Sequence, residues 1–266
     1  MYWFPSFSST FPAYELKKVV KNTQNRFIDQ KYFFYSMLPT PDIKITDPEK
    51  VYDPAEDSFL LLDLFEELRG YFKRKEFGHK TPLVVEIGTG SGIVSTFINE
   101  HVLPNGYFIA TDINPYSCAS ALQTNKANAT SFNLDTVRCD LLSAIQDHLI
   151  DVLVFNPPYV PTENIPSMPT TKEEEYKWMD IALNGGPTGM DITNKVLDSL
   201  ERKLSVNGEA YILFCARNKP KQVAANFQSN HDNFKVEQVI FRKAGWEELS
   251  IYRFLKLGEM RNTPSA

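Results

Sequence analysis

The chain has 266 residues, a formal net charge of −5 and 42% hydrophobic residues, which fits one α/β domain or two small ones with no need of disulfide or metal staples. The acidic balance gives no overall attraction for a phosphate backbone, which argues against a nucleic-acid enzyme unless a local basic patch does the work. No apolar run reaches the ~18 residues of a membrane-spanning helix, so no membrane association is expected.

Cys118, Cys139 and Cys215 are too scattered for a disulfide framework, which points to a reducing compartment: the cytoplasm, with the nucleus also open. His79, His101, His148 and His231 make no metal-ligand spacing, so no bound metal is expected in this chain. Residues 1–36 are aromatic and Ser/Pro-rich at first (Tyr2, Trp3, Phe4, Phe7, Phe11), then Lys-rich. They read as a disordered extension, without the apolar core of a signal peptide. Met37 opens a segment of different character and is a second candidate start. The folded domain is expected over 37–256, with a flexible tail over 257–266.

Asp53-Pro54-Ala55-Glu56-Asp57-Ser58 precedes an amphipathic helix over 59–68, opened by a capping Asp/Ser and closed by Gly70. Residues 82–87 read as a buried strand, 92–100 as a helix, 106–111 as a strand and 115–128 as a helix. A strand over 133–138, a short helix over 141–148 and a strand over 151–155 follow. After a Pro-rich insertion come a helix over 189–204, a strand over 209–216, a helix over 219–229 and strands over 234–241 and 248–256. Strands alternating with helices imply a parallel sheet covered on both faces, and the closing hairpin sets the last strand antiparallel to its neighbour.

The first strand ends in Glu86-Ile87-Gly88-Thr89-Gly90-Ser91-Gly92 and runs straight into a helix. Gly88 and Gly90 let the backbone approach a ligand at the carboxyl end of a parallel strand, where such sheets bind ligands. A plain tight turn would use glycines too. Two details favour a cofactor. The spacing is G-x-G-x-G, with Ile93 where a dinucleotide fingerprint has its third glycine. Asp112 ends the next strand, 24 positions after Gly88, where a carboxylate accepts ribose hydroxyls. Glu86 adds a second negative group facing the cofactor, which suits a ligand with a sulfonium and an ammonium better than one with a pyrophosphate. Asp140-Leu141, ending the third strand, reads equally as an adenine-binding pair and as a helix cap.

Asn156-Pro157-Pro158-Tyr159 directly follows the fourth strand. An amide or exocyclic amine is a poor nucleophile because its lone pair is delocalised. The Asn156 oxygen and the Pro157 carbonyl can accept its two hydrogens, aim the emerging lone pair and stabilise the positive charge that develops on nitrogen. Prolines fix the carbonyls in advance, and Tyr159 can stack on the flat target group.

At these residues the chain resembles the eukaryotic HemK-like methyltransferases, which modify the glutamine of the Gly-Gly-Gln motif in class I release factors. The resemblance spans about residues 37–256. Its motifs are Val51-Tyr52-Asp53-Pro54-Ala55-Glu56-Asp57-Ser58, the loop over 86–92, Thr111-Asp112-Ile113-Asn114-Pro115, Phe155-Asn156-Pro157-Pro158-Tyr159-Val160 and Ala244-Gly245-Trp246-Glu247. It implies a class I fold dependent on S-adenosylmethionine: Rossmann-like α/β, with a seven-stranded, mostly parallel sheet and an antiparallel last strand. Ser58, Glu86, Gly88, Asp112, Asp140, Leu141 and Asn156 would contact S-adenosylmethionine, and N5-methylglutamine would be the product. Bacterial relatives dock the release factor through an N-terminal helical domain; only about fifty residues precede the Pro-Ala-Glu-Asp segment here, so docking must be done otherwise.

The resemblance also implies a small zinc-binding activator subunit, forming a heterodimer in which the partner holds the metal. It puts the third strand at the sheet edge, where Phe132, Leu134 and Val137 would offer apolar side chains to that subunit. Two other enzyme classes share parts of this pattern. An adenine-N6 methyltransferase has the same tetrapeptide but needs a basic groove, and a protein-lysine methyltransferase needs a deprotonated amine. A catalytically silent scaffold would have no use for Asn156 and Asp112. Over 160–180 the chain carries Glu163, Glu173, Glu174, Glu175 and Asp180 against Lys172 and Lys177. That segment reads either as an acidic rim that repels phosphate or as a solvated loop face.

Overall fold

The computed structural model describes residues 37–78, 81–128 and 133–258. The expected N-terminal extension, Phe132 and nearly all of the C-terminal tail lie outside them. Leu38 onward forms one compact unit, built on a seven-stranded sheet in the order β3-β2-β1-β4-β5-β7-β6.

The strands are β1 (Leu83–Ile87), β2 (Tyr107–Asp112), β3 (Leu134–Arg138), β4 (Ile150–Phe155), β5 (Leu204–Cys215), β6 (Phe234–Ala244) and β7 (Glu247–Lys256). The first five run parallel, and β7 is antiparallel to both of its neighbours. Every residue of β4 is buried, as expected of a central strand covered on both faces. Alternate side chains feed two cores. Val84, Val152, Val154 and Tyr211 pack under α1 (Glu56–Arg74) and α2 (Ile93–His101). Val85, Leu153, Phe155 and Ile212 pack with α5 (Asp191–Lys203) and α6 (Pro220–Asn230).

Several boundaries differ from the sequence reading. The first helix starts at Glu56, not 59, and runs through Gly70 to Arg74; its N-cap is Ala55, with no side-chain cap. Glu56 and Asp57 in the first turn complement the helix dipole. The ~1 kcal/mol that an interior glycine costs is outweighed at the far end. There Phe72 is buried and packs against Phe65 and Tyr211 at 6.0 and 6.2 Å. No helix forms over 141–148: the segment is a run of turns, with Leu141 and His148 at φ 49° and 59°, a left-handed conformation that no α-helix contains. The Pro-rich insertion instead holds α4 (Lys177–Leu183). β5 begins at Leu204, its pairing with β4 shifted by an irregularity.

Two long-range ties position the helices. The extended segment before α1 lies along α3 (Pro115–Asn128). The backbone N–H groups of Thr46, Lys44 and Asp42 donate to the side chains of Ser120, Thr124 and Asn128. Those acceptors recur every fourth residue and so share one helix face. At the end of α1, Glu209 is fully buried. It accepts from the Tyr71 and Tyr211 hydroxyls at 2.5 Å each and from Lys75, with Arg253 at 3.7 Å.

Candidate active site

The sheet's carboxyl ends open into a cavity of about 300 Å³. All of the expected site residues line it: Ser58, Glu86, Gly88, Gly90, Asp112, Asp140, Leu141, Asn156, Pro157, Pro158 and Tyr159. Elements 99 residues apart in sequence meet there.

The glycine loop is bent by positive φ at Gly88 and Gly90 (65° and 53°). A Cβ added at either would meet nothing within 4 Å, whereas one at Gly92 would strike Ala121 Cα at 2.5 Å. The first two glycines therefore leave open space for a ligand, and the third lets α2 pack against α3. Asp112 completes the cradle: Oδ2 accepts from the Gly90 N–H at 3.1 Å and Oδ1 from the Asn114 N–H at 2.8 Å. Burial pushes its carboxyl above the ordinary range. The Ser117 side chain and the Ile113 N–H also hydrogen-bond this carboxylate, which lines the cavity.

Glu86 lines the cavity while one of its two carboxylate oxygens is committed to the loop. Its Oε2 accepts from Thr89 Oγ1 at 2.8 Å, from the Ser95 N–H at 3.2 Å and from the Ser95 hydroxyl. The carboxylate therefore binds the loop to the first turn of α2, the natural place for a negative group. Burial, the dominant influence, pushes its pKa up to about 7. Asp140 is exposed, and no helix follows for it to cap. Leu141, held in the left-handed region, packs against the second core while lining the cavity. An L side chain there is strained by roughly 1–2 kcal/mol, and such strain concentrates at functional sites.

In the tetrapeptide, Asn156 Nδ2 donates to Asp57 Oδ2 at 3.0 Å, and Asn156 Oδ1 is buried without a hydrogen-bond partner. The Tyr159 hydroxyl donates to Glu247 Oε2 at 3.3 Å. Behind them, Asn218 Nδ2 bonds the carbonyls of Tyr159 and Gly189 at 3.2 and 3.3 Å. A Cβ at Gly185 would fall 2.4 Å from the Pro158 oxygen, so the tetrapeptide backbone is packed tightly from behind.

Sequence reasoning missed Asp57, Tyr52, Glu247 and the insertion's wall residues Ile165, Met168 and Trp178. Asp57 stood inside a recognised motif but read as a helix cap; Glu247 closed the Ala-Gly-Trp-Glu motif without an assigned role. The acidic rim needs correcting. Glu174 pairs with Lys177 at 2.6 Å, and Glu175 with Lys50 at 2.7 Å and the Tyr116 hydroxyl at 2.9 Å. Glu163, Glu173 and Asp180 are exposed. The rim is partly neutralised, and the Glu175 contacts tie the insertion to the segment before α1 and to the start of α3.

Residues 65–168 match the family model described as the methyltransferase small domain. With the fold and the open glycine cradle, this makes the chain a class I S-adenosylmethionine-dependent methyltransferase. It is 36% identical to the eRF1 methyltransferase catalytic subunit mtq2 of Schizosaccharomyces pombe, over 84% of this chain and 97% of that protein. It is 31% identical to human methyltransferase HEMK2, over 77% and 90%. A chain of the solved E. cuniculi Mtq2–Trm112 complex, described as methylating the eRF1 translation termination factor, is 25% identical. It aligns with a TM-score of 0.54 over 78% of this chain and 99% of that one. The chain belongs to the eukaryotic HemK-like methyltransferases.

Proposed function

We propose that the chain methylates the side-chain amide nitrogen of the glutamine in the Gly-Gly-Gln motif of a class I release factor, giving N5-methylglutamine. The observation that carries this reading is Asn156, whose NH2 is engaged by Asp57 while its oxygen stands buried and unpartnered. A buried acceptor left unsatisfied costs roughly 1–3 kcal/mol, a cost relieved when a substrate N–H fills it. The Pro157 carbonyl accepts the second hydrogen, and the Tyr159 ring provides a flat contact for the amide. Held at both hydrogens, the nitrogen has its lone pair directed out of the amide plane, and the two oxygens stabilise the positive charge it acquires.

S-Adenosylmethionine supplies an already activated methyl group, so no general base is needed before transfer. The S–CH3 bond breaks as N–CH3 forms, S-adenosylhomocysteine leaves, and the nitrogen then loses a proton to solvent to give neutral N5-methylglutamine. Asp112 would hold the cofactor's ribose, Asp140 and Leu141 its adenine, and Ser58, Gly88 and Gly90 the remainder. The names carried by the S. pombe and E. cuniculi proteins support a release factor as the substrate. The E. cuniculi complex supports a small partner subunit; in this reading the partner docks along β3 and carries the zinc.

The test is side-by-side transfer of labelled methyl to a release factor, a histone and an adenine oligonucleotide, using the full chain co-expressed with its small subunit. The release factor is the expected acceptor, with label lost when its Gly-Gly-Gln glutamine is replaced. Preferential labelling of the oligonucleotide or the histone overturns the reading.

A further inference from the structure

The structure assigns a positioning role to Asp57, which we propose sets the orientation of the Asn156 amide and so decides which end of it faces the substrate. This rests on the reading of Asn156 as the acceptor of the target N–H. The two ends of an asparagine amide are nearly the same size, and only hydrogen bonding distinguishes them. Turned the other way, Asn156 would present NH2 to the incoming NH2, donor against donor. An ionised carboxylate has no hydrogen to give, so Asp57 admits only the NH2 end at 3.0 Å and leaves the oxygen free.

Asp57 is itself held. It is 4% exposed. Its Oδ1 accepts from the Ser58 backbone N–H at 2.6 Å and the Ser58 hydroxyl at 3.3 Å, and Oδ2 from the Tyr52 hydroxyl at 3.3 Å. These donors all come from the segment that enters α1, so the first turn of that helix sets the register of a group at the end of β4. Asp57 lines the cavity beside Asn156, its hydrogen bonds run to Asn156, Ser58 and Tyr52, and its effect on the target nitrogen is exerted through Asn156.

Replacing Asp57 by Asn keeps the shape and still offers an acceptor to Ser58, but the new amide can either accept from Asn156 or donate to it. Both orientations of Asn156 then become available. In the full chain purified with its small subunit, D57N is expected to lower kcat on the release factor about ten- to a hundredfold, the usual effect of losing a hydrogen bond to a charged group. The dissociation constant for S-adenosylmethionine should stay within about twofold of wild type. The Asn156 side-chain NH2 resonances, assigned by their loss in N156A, should shift and exchange faster with solvent. D57S, smaller and equally neutral, carries the same expectations if D57N does not fold.

Wild-type kcat in both variants overturns the proposal, as does a fall in kcat matched by an equal fall in cofactor affinity. Unchanged Asn156 resonances in a slowed variant overturn it too. Failure of the functional reading looks different: there the wild-type complex labels no glutamine, or N156A labels it as well as wild type.

Discussion

At the residue scale the site divides between groups that meet ligands and groups that hold those groups still. Asn156 is of the first kind. N156A is expected to lose about 10²–10³ in turnover, by analogy with deletion of an oxyanion-hole donor, while cofactor affinity measured by calorimetry stays near wild type. Asp112 is fixed by the N–H groups of Gly90 and Asn114, and in the proposed reading its carboxylate holds the ribose. D112A should weaken S-adenosylmethionine binding by about tenfold to a hundredfold; unchanged affinity would move the cofactor elsewhere. Glu86 makes a pH prediction. Its pKa rises from 4.5 to about 7 on folding, so the folded state keeps a proton that the unfolded chain releases above about 4.5. The associated stabilisation is complete below that pH and is lost as pH rises through about 7. At ~1.4 kcal/mol per unit of pKa, the loss is about 3 kcal/mol. In urea unfolding between pH 5 and 8, wild type should fall in stability relative to E86Q by that order. A constant difference between the two would refute it.

At the scale of elements, the strands were the legible part, because period-two burial and short apolar runs are local properties. The helices were less so. Gly70 is a sound stop signal in isolation, yet α1 continues four residues beyond it because Phe72 packs against Phe65 and Tyr211 and because Lys75, just past the last turn, reaches Glu209. That carboxylate is the test of the tie. E209A leaves the Lys75 side chain, 9% exposed, without its counter-charge, while Arg253 keeps Glu237 at 3.4 Å. It should cost about 3–5 kcal/mol of stability by urea denaturation. A change under ~1 kcal/mol would mean that water already serves that cation. The stretch over 141–148 shows the opposite error. Its composition suits a helix, but two left-handed residues, which a sequence does not announce unless they are glycine, turn it into loops.

For the molecule as a whole, the sheet order puts β3 at an edge, which agrees with the resemblance, but the edge itself differs from the one expected. Leu134 is 5% exposed and belongs to the first core, so it offers little to a partner. Asn133 O and Cys139 N bond to β2. Backbone groups alternate sides along a strand, so Val137 also faces β2, and the outward N–H groups are those of Leu134, Thr136 and Arg138. V137P would cut the ladder to β2 and confuse loss of partner with loss of fold. T136P removes an outward donor at an edge position where proline is tolerated. It is expected to abolish co-purification of the proposed small subunit while the chain keeps its melting temperature measured alone. Undiminished co-purification would place the subunit elsewhere.

The glycine loop, Asp112 after the second strand and the tetrapeptide after the fourth were fixed by sequence alone, and with them the class of chemistry. Each joins a recognisable residue type to a strand end that local pattern already marks. What only the tertiary structure decided is how those groups are aimed. Asp57 meets Asn156 across 99 residues and Tyr159 meets Glu247 across 88. Glu86 lines the cavity with one carboxylate oxygen held by Thr89 and Ser95. Such pairings depend on which strands become neighbours and how α1 lies across them. A short-range pattern of apolar and polar residues specifies which face of an element is buried, but not which distant side chain it meets there.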